Sequence, residues 1–166
     1  MAEMRRGLDA IRATGARLRQ PYYLALLAEA CGQTSELEAG MKMLAEGVGA
    51  ARHHGECWQE AELYRLQGEL LLIGSHDPRA SRTRRGRSQT LDRRVERCFH
   101  QALAIARSQQ AKSLELRAAM SLAVLWKRKG KRAEAYDLLV PICQWFTEGF
   151  DTADLRNAKA LLNELG

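Results

Sequence analysis

Four short stretches of this 166-residue chain hold residue types that can do chemistry, and their spacing decides what each could do. His54 and Cys57 could offer two ligands to a soft divalent metal. A structural zinc site takes four, so no metal is expected. Gly130-Lys131 lacks the upstream glycine and the following hydroxyl of a phosphate-binding loop. Gly47-Val48-Gly49 falls inside a helix-periodic run with no strand before it, which argues against a dinucleotide turn. Cys98 and His100 point to different faces of one helix. No nucleophile, base and orienting acid can be assembled from such residues, so the expectation is a non-enzyme that needs no cofactor.

Charge is the next candidate for chemistry. The net charge is +6, but seven arginines lie between Ser75 and Arg94 against Asp77 and Asp92, which leaves the remainder of the chain near neutral. Basicity therefore belongs to one segment. Within it, 75–90 is polar and almost without apolar residues, too poor in buriable surface to offset the entropy of ordering. It is expected to be a poorly ordered loop in which Arg79, Arg82, Arg84, Arg85 and Arg87 form a basic patch. Nucleic-acid binding through 75–94 is the alternative function that this patch supports, and its affinity would fall steeply with salt.

The elements that would position any site read as helices throughout. Three prolines, 6% aromatics and abundant Ala, Leu, Glu and Arg favour helix, and no period-two run of strand length is present. No apolar run approaches the roughly 20 residues that span a bilayer, so no membrane association is expected and the cytoplasm is the default location. The four cysteines are far apart, without a C-x-x-C pair, and are expected to be buried free thiols.

In chain order, Met4, Leu8, Ile11 and Leu18 mark an orphan helix over 3–18. Leu24, Leu27, Ala28 and Cys31 mark a second helix, and Ser35 to Glu38 has the spacing of a capping box opening a third. That third helix carries Leu37, Met41, Leu44 and Val48, with Gly40 and Gly47 thinning one side for close packing. Trp58 to Ile73 continues as a fourth. Thr90 is placed to cap a fifth, whose stripe is Val95, Phe99, Ala102, Leu103 and Ala106. Ser113 to Leu139 is a helical hairpin: Leu116, Ala119, Leu122, Ala123 and Trp126 line its first helix, Gly130 closes it, and Ala133, Ala135, Tyr136 and Leu139 line its second. Pro141 should kink the chain, Trp145 and Phe146 act as anchors, and Asp151 or Thr152 caps a last helix bearing Leu155, Ala158, Leu161, Leu162 and Leu165.

Set in register, the hairpins give the tetratricopeptide pattern. Tyr64, Gly68 and Leu71 with Phe99 and Ala102 form one copy, Leu122, Ala123, Trp126, Gly130, Ala135 and Leu139 a second, and Leu24 to Leu44 a weaker first. The chain resembles tetratricopeptide-repeat proteins. Through AELYRLQGELLL, CFHQALAIARSQQAKSLELRAAMSLAVLW and WFTEGFDTADLRNAKALL it is similar to the carboxy-terminal repeat region of bacterial multidomain proteins that carry adenylate/guanylate cyclase and signalling-ATPase modules. The resemblance implies an all-α, right-handed helical-hairpin solenoid forming one domain: orphan helix 3–18, repeats over 21–53, 56–109 and 113–147, and a capping helix over 151–165. It also implies a role in bacterial signalling, without any catalytic residue, since the cyclase and ATPase modules are not in this sequence.

A stack of this kind has a concave surface lined by the first helix of each repeat. In this register the groove positions are Tyr22 and Glu29, then Glu62, Arg65 and Glu69, then Arg117, Met120, Val124 and Lys127, with Ala25 among them. Mixed charge with a few apolar groups suits a protein or peptide partner of acidic or amphipathic character. The unpaired first helix is expected to favour self-association into a homo-oligomer.

Overall fold

The structure, a computed structural model, describes residues 2–75 and 84–166, and is all-helical over them. Its helices are α1 (Ala2–Ala13), α2 (Gln20–Gln33), α3 (Leu37–His54), α4 (Glu60–Ser75), α5 (Arg84–Ser108), α6 (Lys112–Arg128), α7 (Arg132–Gln144) and α8 (Ala153–Leu165), with a short 3-10 turn at Cys57–Gln59. Each helix packs on the next in sequence. The even-numbered ones also pack on one another, α2 on α4, α4 on α6 and α6 on α8, whereas α3 and α5, or α5 and α7, make no comparable contact. The even helices thus form an inner row.

Three of the connections are built identically. After α2, α5 and α6 the residue in the left-handed region is Ser35 (φ 60), Gln110 (φ 54) and Gly130 (φ 78). In each case its amide reaches back three residues and the following amide reaches back five. The pairs are Ser35 to Gly32 and Glu36 to Cys31, Gln110 to Arg107 and Ala111 to Ala106, and Gly130 to Lys127 and Lys131 to Trp126. This is the Schellman closure, which satisfies otherwise orphaned carbonyls. Only the third uses the residue that adopts this conformation without steric cost.

The same geometry corrects the capping box. Ser35 is spent as the left-handed residue, so Glu36 takes the N-cap position of α3 and no side chain caps it. At α8, Thr152 does occupy the N-cap position, but its hydroxyl donates to the Gly149 carbonyl at 2.7 Å instead of accepting a helix amide.

Other expectations also shift. The first helix ends at Ala13, because Gly15 turns with φ 75 and the Thr14 hydroxyl donates to the Ile11 carbonyl at 2.6 Å. Leu18 is left outside the helix and is 71% exposed. Trp58 lies in the 3-10 turn, half exposed, and α4 starts after it. Arginine is a good helix former, and adding turns to an anchored helix is inexpensive. Accordingly, α5 begins at Arg84 and passes through Thr90, which is interior to the helix and not its cap. Of the loop expected over 75–90, residues 84–90 lie in helix α5, and the section 76–83, with Arg79 and Arg82, lies outside the described residues. In α7, Ala135 and Leu139 are buried but Ala133 and Tyr136 are exposed, and the helix runs past Pro141 to Gln144. Trp145 is exposed, with the Lys112 ammonium over its ring.

Glycine sets the closest helix approaches. A Cβ at Gly68 would lie 2.5 Å from Phe99 Cε1, so α4 and α5 touch at a separation that a methyl group would prevent. At Gly47 the nearest atom is the tip of Leu63 at 2.8 Å, and Gly49 faces open space. Between α5 and α8 runs one continuous core that includes Val95, Phe99, Leu116, Leu122, Leu139, Leu155 and Leu165. Two smaller clusters hold the other end: Leu44, Leu63, Leu66 and Leu70 with Ala25 and Ala28, and Leu8 with Leu24 and Leu27.

Candidate functional site

The inner row of helices leaves a groove of about 610 Å3. Its walls come from α2 (Glu29), α4 (Arg65, Glu69, Leu72, Ile73), α6 (Arg117, Met120, Ser121, Val124, Arg128) and α8 (Asp154, Asn157, Leu161), with the Phe99 ring of α5 behind. The helical period explains the set. On α6, positions 117, 120, 121, 124 and 128 fall on one face, and the opposite faces supply Leu116, Ala119 and Ala123 to the core. A second cavity of about 370 Å3 shares Val124, Arg128 and Leu161 and adds Lys127, Arg132 and Glu164.

A chain of charges crosses the groove floor. The Arg65 guanidinium donates to both oxygens of Glu62, at 2.8 and 2.7 Å, and pairs with Glu69. Ser121 donates to the same Glu69 oxygen at 3.0 Å. Arg117 donates to Glu62 at 3.2 Å and to Asp154 at 2.8 Å. Side chains of α4, α6 and α8 are thereby tied in one network.

Burial works against the charge of Arg65 and would lower its pKa. The Glu62 hydrogen bonds, with the charges of Glu62, Glu69 and Glu29, outweigh burial and raise it. Arg117 behaves alike: burial lowers, the Asp154 hydrogen bond and the charge of Glu62 raise more, and nearby Arg65 subtracts. Arginines held protonated give up no proton near neutrality, so they position side chains and present charge. In a partly buried ionic network of this kind the cost of desolvation offsets much of the attraction, so it adds little net stability.

Of the residues named from the sequence for this surface, Glu29, Arg65, Glu69, Arg117, Met120 and Val124 line the larger groove together, and Lys127 lines the adjoining cavity, paired with Glu164. Three do not present themselves as expected. Glu62 is buried at 7% exposure beneath the two arginines, because its carboxylate is the hub of the network. Ala25 is buried in the α2–α4 core. Tyr22 lies outside the groove, its ring stacked on Trp58 at 5.8 Å.

Leu72, Ile73, Arg128 and the whole contribution of α8 lie outside the groove positions that the repeat register predicts. Asp154, Asn157 and Leu161 recur at helical spacing, the signal that α8 extends the inner row and does more than cap it. Among the basic-patch positions, the backbones of Arg84, Arg85 and Arg87 lie in the first turn of α5. Among the described residues, no group of three or more His, Cys, Asp or Glu side chains is placed to hold a metal ion, and no helix is long and apolar enough to cross a membrane. No protein-family model, curated protein or solved structure matches the chain.

Proposed function

We infer that the protein is a non-catalytic, tetratricopeptide-like interaction module that holds a segment of a protein partner in the groove of its inner helices, in the setting of bacterial signal transduction. One observation carries this reading. The groove leaves Ile73 exposed and Met120 and Val124 partly exposed, beside charges whose positions are fixed by the Arg65–Glu62–Arg117 network. Accessible apolar groups between pre-positioned polar ones are the composition of recognition surfaces, where little ordering remains to be done on binding. Packing in sequential pairs with an inner row in mutual contact suits a short solenoid of hairpins.

A photo-crosslinking residue at Met120 tests it. The expected result is a protein adduct in cell extract that is lost when Val124→Glu is added, and that a crosslinker at exposed Gln101 on α5 does not form. Equal labelling from both positions would overturn the groove.

A second reading has its own observation: Arg93, Arg94 and Arg97 are exposed on α5 and make no ion pair among the described residues, and they prolong the basic segment. Nucleic-acid binding through this segment would show a steep salt dependence. Binding to a random DNA duplex that is unchanged by Arg93→Gln/Arg94→Gln/Arg97→Gln would remove it.

A further inference from the structure

Around the groove the charges are unequally satisfied. Arg65 and Arg117 are each bound to two carboxylates, and Lys127 is bound to Glu164. Arg128, at the end of α6, and Arg132, at the start of α7, are exposed and make no ion pair or hydrogen bond among the described residues. Arg132 acts on Glu164 only at a distance, adding to the Lys127 hydrogen bond and charge that hold that carboxyl below its usual range. Both guanidinium groups flank the cavity whose apolar floor is Val124 and Leu161. On the α2 flank the charge has the opposite sign: Glu29 lines the groove, is exposed, and makes no ion pair among the described residues.

We propose that the groove accepts an amphipathic peptide segment of a partner protein with its acidic residues at the α6–α7 corner, seated on Arg128 and Arg132, and its apolar side chains on Met120, Val124 and Leu161. This rests on the interaction-module reading and adds to it the sign and the direction of the occupant. Charge complementarity selects the occupant. Two unpaired guanidinium groups beside an apolar floor favour carboxylates next to apolar side chains, in forked geometry that a carboxylate matches. A basic segment would meet like charge at that corner, and an acidic residue at the other end would meet Glu29, so the groove distinguishes the two ends of its ligand.

The test uses the full chain and three synthetic amphipathic peptides, acetylated and amidated so that no terminal carboxylate competes. Each carries leucines at helical spacing and, at one end, either glutamates, glutamines or lysines. Fluorescence anisotropy at low salt is expected to rank glutamate above glutamine above lysine. Arg128→Glu/Arg132→Glu should weaken the glutamate peptide by about fivefold to tenfold, the scale of two exposed ion pairs, and improve the lysine peptide. A fourth peptide carries glutamates at both ends, and Glu29→Lys should improve its binding more than that of the peptide with glutamates at one end. Because these side chains are exposed and unpaired, the variants should keep the wild-type circular dichroism, and Arg128→Gln/Arg132→Gln gives the same comparison without reversed charge. If the glutamate and glutamine peptides bind equally and Val124→Glu abolishes both, the acidic occupant is overturned while the groove stands. If binding survives Val124→Glu, the peptides dock elsewhere and the groove itself is overturned.

Discussion

The two ends of the molecule are built to different standards. From α5 to α8 the helices share a single core, against which α4 packs Tyr64, Leu71 and Leu72, and the inner faces of α4, α6 and α8 are laced by the Glu62, Arg65, Arg117 and Asp154 network. From α1 to α3 the apolar contacts fall into small clusters, and α1 meets the remainder through Leu8 and through the half-exposed pairs Arg5–Glu36 and Arg12–Glu46. Exposed ion pairs contribute only about 0–1 kcal/mol each, whereas buried side chains contribute about 1.5–3 kcal/mol apiece. The C-terminal part should therefore set global stability, and the N-terminal part should open locally before it.

That contrast can be tested most severely at glycine. Gly68→Ala would place a methyl against the fully buried Phe99 ring, which has no free end to swing aside. Overpacking of this kind outweighs the helix-propensity gain of about 1 kcal/mol, and a net loss of about 2 kcal/mol in denaturant unfolding is expected. Gly47→Ala, in the N-terminal part, meets the tip of the Leu63 side chain at 2.8 Å and Leu24 Cβ at an ordinary 3.6 Å, and should come out near neutral. A larger loss at Gly47 than at Gly68 would invert the comparison.

Next in size is a buried carboxylate of the C-terminal part. Burial would raise the pKa of Glu115, but its hydrogen bonds from Lys112 (2.7 Å) and Arg107 (2.9 Å) and their charges lower it below the ordinary carboxylate range. A depressed folded-state pKa contributes stability that is fully present above the unfolded value near 4.3 and lost as pH falls through the lower folded value. Glu115→Gln should therefore cost about 1–2 kcal/mol at pH 7, with the gap to wild type closing in acid. A gap that stays constant across an acid titration would show that the pair contributes nothing electrostatic.

The smallest effect sharpens the contrast further. Ser35 and Gln110 adopt the left-handed conformation that Gly130 adopts freely, so glycine at either should relieve about 0.5–1 kcal/mol of backbone cost. Gln110→Gly lies between α5 and α6 and should raise the global midpoint. Ser35→Gly lies between α2 and α3 and should slow hydrogen exchange there with little change in the midpoint. Identical global shifts from both would mean that the two ends unfold as one unit.

What could be read from the chain divides along the same physical line. Helical period identified the core stripes of α5, α6 and α8 because Val95, Phe99, Leu122, Leu155 and their neighbours bury a full face each. It failed where backbone conformation overrides side-chain type: Ser35 looks like a cap and serves as a left-handed joint, and Thr14-Gly15 ends α1 before Leu18 can join its stripe. The groove was half legible. Its α4 and α6 positions follow from register, but the role of α8 depends on which helices touch. The burial of Glu62 likewise depends on two arginines drawn from different helices, Arg65 of α4 and Arg117 of α6. Segment 84–90 is polar in composition yet lies in a helix, since arginines extend an existing helix well.

The row of inner helices also has a mechanical meaning. α4, α6 and α8 are braced to each other by guanidinium–carboxylate links, whereas among the described residues no ion pair joins the outer helices α5 and α7. Bending that opens the groove must stretch those links, and bending that closes it presses packed helices together. The outer helices α5 and α7 are held by packing on their neighbours in sequence, so resistance to opening of the groove should fall on the charged links of the inner face.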